Sequence, residues 1–235
     1  LLRAAQNGHL FVVELLLSQG ANLHVNAFDM SGEGGTPLIQ AARYGHAEVL
    51  LALMRADAVI EEVELMFHHS ALMVAALNGH EKTVDILLNA GADPMLKDTS
   101  GRSALLLAAS NNHLSLVVQL LDAGQKWDQK DTHGNGIWHL MAMSDVEIEE
   151  SETSYGSGQK EEGASMIMHE LISRGVLLDS LNSAGETALM IAVKREKVRT
   201  IKSLMELGAS PDIQTPDGET ALTLAKTSGN DELVK

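Results

Sequence analysis

The residues best suited to chemistry are ten histidines. His9, His46 and His80 each follow a glycine, and His113 follows Asn112. The successive separations are 37, 34 and 33 residues. Neutral imidazole binds zinc or copper, so four such rings at one point would make a metal site. Their regular spacing argues otherwise. One ring per repeating unit leaves neighbours about 10 Å apart in a stack of helices, too far for a single ion. The metalloprotease pattern His-Glu-x-x-His is missing, since neither His80-Glu81 nor His169-Glu170 has the second His. His68-His69 falls outside the periodic series, but adjacent residues in an extended segment point to opposite faces, which disfavours joint ligation.

Other chemistries are equally short of residues. With no Cys there is no disulfide scaffold, no cysteine-ligated zinc or iron–sulfur cluster and no thiol nucleophile. No Gly-x-Ser-x-Gly elbow occurs, and no phosphate loop ending in Gly-Lys-Ser/Thr. Gly32-Glu33-Gly34-Gly35 leads straight into Thr36-Pro37-Leu38 and reads as a lengthened hairpin tip. No enzymatic activity and no cofactor or metal is expected. The formal charge of −15 argues against nucleic acid, whose phosphates need clustered Lys and Arg. Leu10 to Leu17 is broken by Glu14 and is far shorter than the roughly 20 residues of a membrane span, so no membrane segment is expected. The lack of Cys suits a reducing compartment, and the expected location is intracellular: the cytoplasm, with the nucleus as the alternative.

The positioning elements are set by an internal repeat. A hydroxyl residue, a small residue or Pro, and Leu recur as Thr36-Pro37-Leu38, Ser70-Ala71-Leu72, Ser103-Ala104-Leu105, Thr187-Ala188-Leu189 and Thr220-Ala221-Leu222. Gly136-Ile137-Trp138 is a degenerate copy. The hydroxyl caps a short helix, and Pro is tolerated at its first position. Pairs such as Ala41-Ala42, Ala75-Ala76 and Ala108-Ala109 allow close helix approach. Gly-His then turns the chain into a second helix, whose end is marked by Gly20, Gly91, Gly124, Gly175 or Gly208, each suited to a left-handed terminus. A segment such as Asp98-Thr99-Ser100-Gly101-Arg102 leads to the next unit. Each unit therefore reads helix, turn, helix, hairpin.

The stretch Ala4-Ala5-Gln6-Asn7-Gly8-His9, with Val12 to Leu17 and Gly20-Ala21-Asn22 after it, resembles the ankyrin repeat, as do Ala75 to His80 and Leu87 to Asp93. The resemblance covers essentially the whole chain. It implies an all-α fold, a helix-turn-helix-hairpin repeat solenoid of about seven units. The units are expected at 1–27, 28–63, 64–97, 98–130, 131–181, 182–214 and 215–235. Leu1 and Lys235 fall inside units rather than at polar closing repeats, so a piece of a longer protein or array is expected. The resemblance also implies a protein-binding scaffold whose partners, of unstated identity, dock on the hairpin tips and the concave face made by the ends of the first helices. Two other settings stay open: the regulatory or substrate-recruiting region of a larger enzyme or bacterial effector, and the cytoplasmic domain of a membrane channel.

On the docking positions that the resemblance implies lie Arg43, Tyr44, Leu77, Asn78, Ser110, Asn111, Lys194 and Arg195. Two hairpins depart from the pattern. Residues 26–35 hold four extra residues, including Phe28 and Met30. Residues 61–69 hold one extra and read Glu-Glu-Val-Glu-Leu-Met-Phe-His-His, where polar tips are usual. Met66, Phe67 and His68, with Tyr44 and Leu77, are candidates for an apolar-aromatic docking patch. The alternative is that Leu65 to Phe67 fold back to fill a gap between units. The fifth unit carries an acidic insertion, 144–163, whose composition cannot bury a core and is expected to be disordered, with its second helix running from Ala164 to Arg174. Residues 132–181 hold nine acidic and two basic residues. The next unit has a basic edge of Lys194, Arg195, Lys197, Arg199 and Lys202; two readings stay open, a solvated loop beside a solvated helix and an acidic loop that partly screens this edge.

Overall fold

The computed structural model describes residues 1–21, 25–27, 34–145 and 159–228, with side chains in the helix starting at Gln159 described from Met166 onward. Phe28, Met30 and insertion residues 146–158 lie outside the described residues. Among the described residues there are thirteen helices, and an isolated antiparallel bridge joins Val63 and Ser70. The chain forms two compact units, Leu1–Ala108 and Ala109–Lys235. The first contains α1 (Leu2–Gln6), α2 (Leu10–Ser18), α3 (Pro37–Arg43), α4 (Ala47–Arg55), α5 (Ala71–Leu77) and α6 (Glu81–Asn89). Helix α7 (Ala104–Ser110) leads into the second unit. That unit contains α8 (Leu114–Asp122), α9 (Ile137–Met143), α10 (Gln159–Ser173), α11 (Ala188–Lys194), α12 (Val198–Glu206) and α13 (Ala221–Ser228).

The recurrent hydroxyls act as helix caps. Thr36, Ser70 and Thr187 accept hydrogen bonds from the backbone N–H groups of Ile39, Met73 and Met190 at 3.3–3.4 Å. Gly136 has no hydroxyl to offer. Here the bond runs the other way along the chain: His139, inside the helix, reaches back and its Nδ1 accepts from the Gly136 N–H at 3.2 Å. Its Nε2–H then donates to the Glu186 carbonyl at 3.0 Å. Burial holds the His139 pKa below its ordinary value, as suits a ring that must keep one nitrogen as an acceptor. Beside it, Trp138 is buried and points its Nε1–H at the Val176 carbonyl.

First helices pack on first helices, α1 on α3 and α3 on α5 in the first unit, α9 on α11 and α11 on α13 in the second. Ala41, Ala42, Ala75 and Ala76 are wholly buried at the contacts in the first unit. The periodic histidines join neighbouring repeats. His46 Nε2–H donates to the Gln6 carbonyl at 3.0 Å and His80 Nε2–H to the Arg43 carbonyl at 2.9 Å. Each bond satisfies a carbonyl at the C-terminal end of the preceding first helix. Gly8 and Gly45 also serve this packing: a Cβ on Gly45, at φ +70, would sit 2.6 Å from His80 Nδ1, and one on Gly8 equally close to His46 Nδ1. The expected glycine termini have φ of 88–91°, with Asp57 (φ 63) in that role after α4. Helix α10 begins at Gln159, five residues before the Ala164 read from the sequence.

Candidate functional site

The irregular hairpin at residues 64–69 is the most distinctive feature of the first unit. In the four other hairpins that are fully described the closing backbone bond spans five residues, from Asp98 N–H to the Arg102 carbonyl, Asp131 to Asn135, Asn182 to Glu186 and Thr215 to Glu219. Here it spans six, from Glu64 N–H to the His69 carbonyl at 3.0 Å. Glu64 therefore takes the place of Asp98, and His69 that of Arg102. His68, with φ 59, occupies the left-handed slot filled by Gly101, Gly134, Gly185 and Gly218 elsewhere. The extra residue lets Leu65, Met66 and Phe67 form the tip, where they are 58%, 61% and 48% exposed. They do not fill a gap between repeats.

Beneath the tip lies a buried chain of charged groups. The Glu64 side chain is only 2% exposed and accepts a hydrogen bond from the Arg43 guanidinium. Its other oxygen, Oε1, is 2.9 Å from His69 Nδ1. His69 Nε2 faces Asp98 Oδ2 at 3.4 Å, and Asp98 Oδ2 accepts from Arg102 Nε at 2.8 Å. Asp98 also closes its own turn through Oδ1, which accepts from the N–H groups of Ser100 and Arg102. A carboxylate can only accept, and of these two contacts only the one to Asp98 has hydrogen-bond geometry, so the Nε2–H donates to Asp98 while Nδ1 and Glu64 Oε1 lie close without a hydrogen bond. Burial is the main influence on His69 and lowers its pKa, against the opposing pull of Glu64 and Asp98. With a neutral ring, Arg43 balances Glu64 and Arg102 balances Asp98, so the buried chain carries no net charge. Phe67 stacks on the His69 ring with centroids 5.5 Å apart, and its carbonyl accepts from the Thr99 N–H at 3.0 Å. The exposed tip is thereby tied to α3 and to the following hairpin.

The other sequence candidates are distributed more widely. Arg43 lies at the expected helix end but is turned inward, 13% exposed, and serves the hairpin rather than the open face. Tyr44 is exposed but leans toward the first repeat, stacking on His46 and accepting weakly from Gln6 Nε2 at 3.4 Å. Leu77 is half-buried, and Asn78 caps α5 by donating to the Val74 carbonyl at 2.7 Å. In the second unit Ser110 and Asn111 are half-buried. Lys194 sits between Glu186, at 2.7 Å, and Glu219, at 3.8 Å. The hydrogen bond to Glu186 raises the Lys194 pKa and lowers that of Glu186. Arg195 donates to the Met143 carbonyl and reaches Asp145, the first acid of the insertion, at 3.3 Å. Glu64, His69 and Asp98 do not stand out in the sequence as supports of the tip. The available signal was the one-residue excess, which puts Glu where other hairpins have Asp, Asn or Thr.

Among the described residues no group of three or more His, Asp or Glu could hold a metal ion. No described helix is long and apolar enough to cross a membrane. The capped helix pairs, left-handed termini and histidine links between repeats define a repeat-built binding scaffold. A family model of ankyrin repeats matches residues 1–62, 57–131 and 160–235, and the chain belongs to the ankyrin-repeat family. The human ASB11 ankyrin repeat domain, a solved structure, superposes with a TM-score of 0.76 at 22% identity, over 99% of this chain and 95% of that one. Among curated proteins, the chain is 36% identical over 85 residues to the rice "Probable E3 ubiquitin-protein ligase XBOS32", a match to 36% of this chain and 16% of that protein. It is 33% identical over 98 residues to mouse "Ankyrin repeat and SAM domain-containing protein 6", covering 42% of this chain and 11% of that protein. It is 36% identical over 93 residues to human "Ankyrin repeat and SOCS box protein 3", covering 39% and 17%. The matches thus span less than a fifth of each of these relatives. Ankyrin repeats act as protein–protein interaction scaffolds, and that is the function of this chain.

Proposed function

We propose that the chain docks a protein partner chiefly through the tip Leu65–Met66–Phe67, and that these residues perform no catalysis of their own. The observation that supports this reading is the pairing of an exposed apolar tip with a buried, charge-balanced base. Three adjacent apolar side chains in water are unfavourable unless something covers them. A base fixed before binding lowers the ordering cost of association. Aromatic and Met side chains are also the types enriched at interfaces. The polar helix ends around Gln6, Tyr44 and Asn78 serve as secondary contacts, and the Lys194–Arg195 edge of the second unit as a separate, weaker acidic-partner site. The proposed location is the interior of a cell, in the cytoplasm or nucleus.

Affinity capture with the wild-type chain and with Phe67→Glu and Tyr44→Ala variants tests the reading. Phe67→Glu should lose the principal partner, and Tyr44→Ala should weaken its recovery. Equal recovery of every partner by all three chains would exclude the tip as the docking surface.

A further inference from the structure

We infer that the tip takes a peptide segment presenting an apolar anchor next to Lys or Arg, an inference that rests on the docking role proposed above. The charges on the segments leading to the tip are predominantly acidic. From the end of α4 through this hairpin, and from Asp93 through the next, the exposed charged residues are Asp57, Glu61, Glu62 and Asp93, against Arg55 and Lys97. Arg43 and Arg102 do not alter that balance, because they are engaged by Glu64 and Asp98. Glu61 bridges the two loops, its Oε1 accepting from the Asp93 N–H at 2.9 Å. The acidic residues thus gather where the chain enters the hairpins.

The opposite side of the tip carries little charge. The ends of α1, α3 and α5 present Gln6, Tyr44, Leu77 and Asn78. The cations there are Arg43, turned inward, and Arg3, bonded to Gln6 at 2.9 Å. A bound segment therefore meets an apolar tip, a carboxylate edge on one side and a polar uncharged face on the other. Basic residues on one flank of an apolar anchor complement this layout and fix the direction in which the segment lies. Acidic residues at the same place would face carboxylates within about one Debye length. The apolar contact is insensitive to salt, whereas the flank contribution is screened. Binding should weaken with added salt without being abolished.

The test uses the purified 235-residue chain and a displayed library of random short peptides. Recovered peptides are resynthesised with basic or acidic flanks, and their affinities measured by fluorescence anisotropy for wild type, Phe67→Ser and the double variant Glu61→Gln/Glu62→Gln. Glu61→Gln keeps a side-chain oxygen for the Asp93 N–H, and circular dichroism checks that each variant folds. Basic-flanked peptides should bind about tenfold more tightly than acidic-flanked ones, the sum of two modest exposed pairs. The double Gln variant should remove most of that difference, and Phe67→Ser should weaken both versions. Acidic-flanked peptides binding equally or better, with Phe67→Ser still weakening them, would overturn the charge assignment and leave the docking role intact. Recovery of no peptide, or only of peptides indifferent to Phe67→Ser, would overturn both.

Discussion

Replacing Glu64 with Met, with and without Arg43→Met, probes the base on which the tip stands. Glu64→Met leaves the Arg43 guanidinium facing an apolar group and removes the carboxylate oxygen that lies 2.9 Å from His69 Nδ1. Removing one partner of a buried ion pair costs about 3–5 kcal/mol. Arg43 is 13% exposed and can recover some hydration, so the lower end applies, about 3 kcal/mol. Arg43→Met strands the more deeply buried carboxylate and should cost about as much. The double variant puts two apolar side chains in contact, an exchange that is often near neutral. Its cost should therefore fall below the sum of the single costs by at least about 2 kcal/mol. The assay is urea unfolding followed by far-ultraviolet circular dichroism. Trp127 and Trp138 both lie in the second unit, so their emission monitors that unit separately. Amide exchange adds a local reading: the Glu64 and Thr99 N–H groups, bonded to the carbonyls of His69 and Phe67, should lose protection in the single variants. Single effects that add to within about 0.5 kcal/mol, with unchanged exchange at both amides, would refute the coupling.

Gly45→Ala should cost about 2 kcal/mol in urea unfolding, because the added Cβ would lie 2.6 Å from His80 Nδ1 at φ +70. Glu196→Gly and His68→Gly should each raise stability by about 0.5 kcal/mol, since φ values of 55 and 59 suit glycine better than a side chain. His139 has a depressed pKa in the folded chain, so below its ordinary value of 6.5 the unfolded chain takes up a proton that the folded one resists. Stability should accordingly fall as pH drops through about 6.5 and level off once the folded ring is also protonated. His69 acts in the same direction, and His139→Gln should remove part of the slope in urea midpoints measured between about pH 7.5 and 5.

The fold was largely legible because each repeat states it locally. Thr36, Ser70 and Thr187 announce helix starts, and Gly91, Gly124 and Gly208 announce stops. The periodic histidines were legible as structural, although the partners they choose, the carbonyls of Gln6 and Arg43, depend on how repeats stack and are invisible in a linear reading. The start of α10 was misplaced because Gln159 to Gly163 are polar and glycine-containing, which reads as loop. At the candidate site, Met66 and Phe67 stood out by their types. Arg43 was read as a docking residue from its position alone, but the buried carboxylate of Glu64, 21 residues onward, captures it. Long-range charge pairing leaves no periodic trace in sequence, so the supports of the tip emerged only from the folded chain.

The central claim is that the tip is the contact surface. A photo-crosslinking residue placed at position 67, and in a second chain at Lys82 on the exposed side of α6, tests it most directly. The predicted result is a discrete protein adduct from position 67 that position 82 does not yield. Adducts of equal yield from both positions, or from position 82 alone, would contradict it.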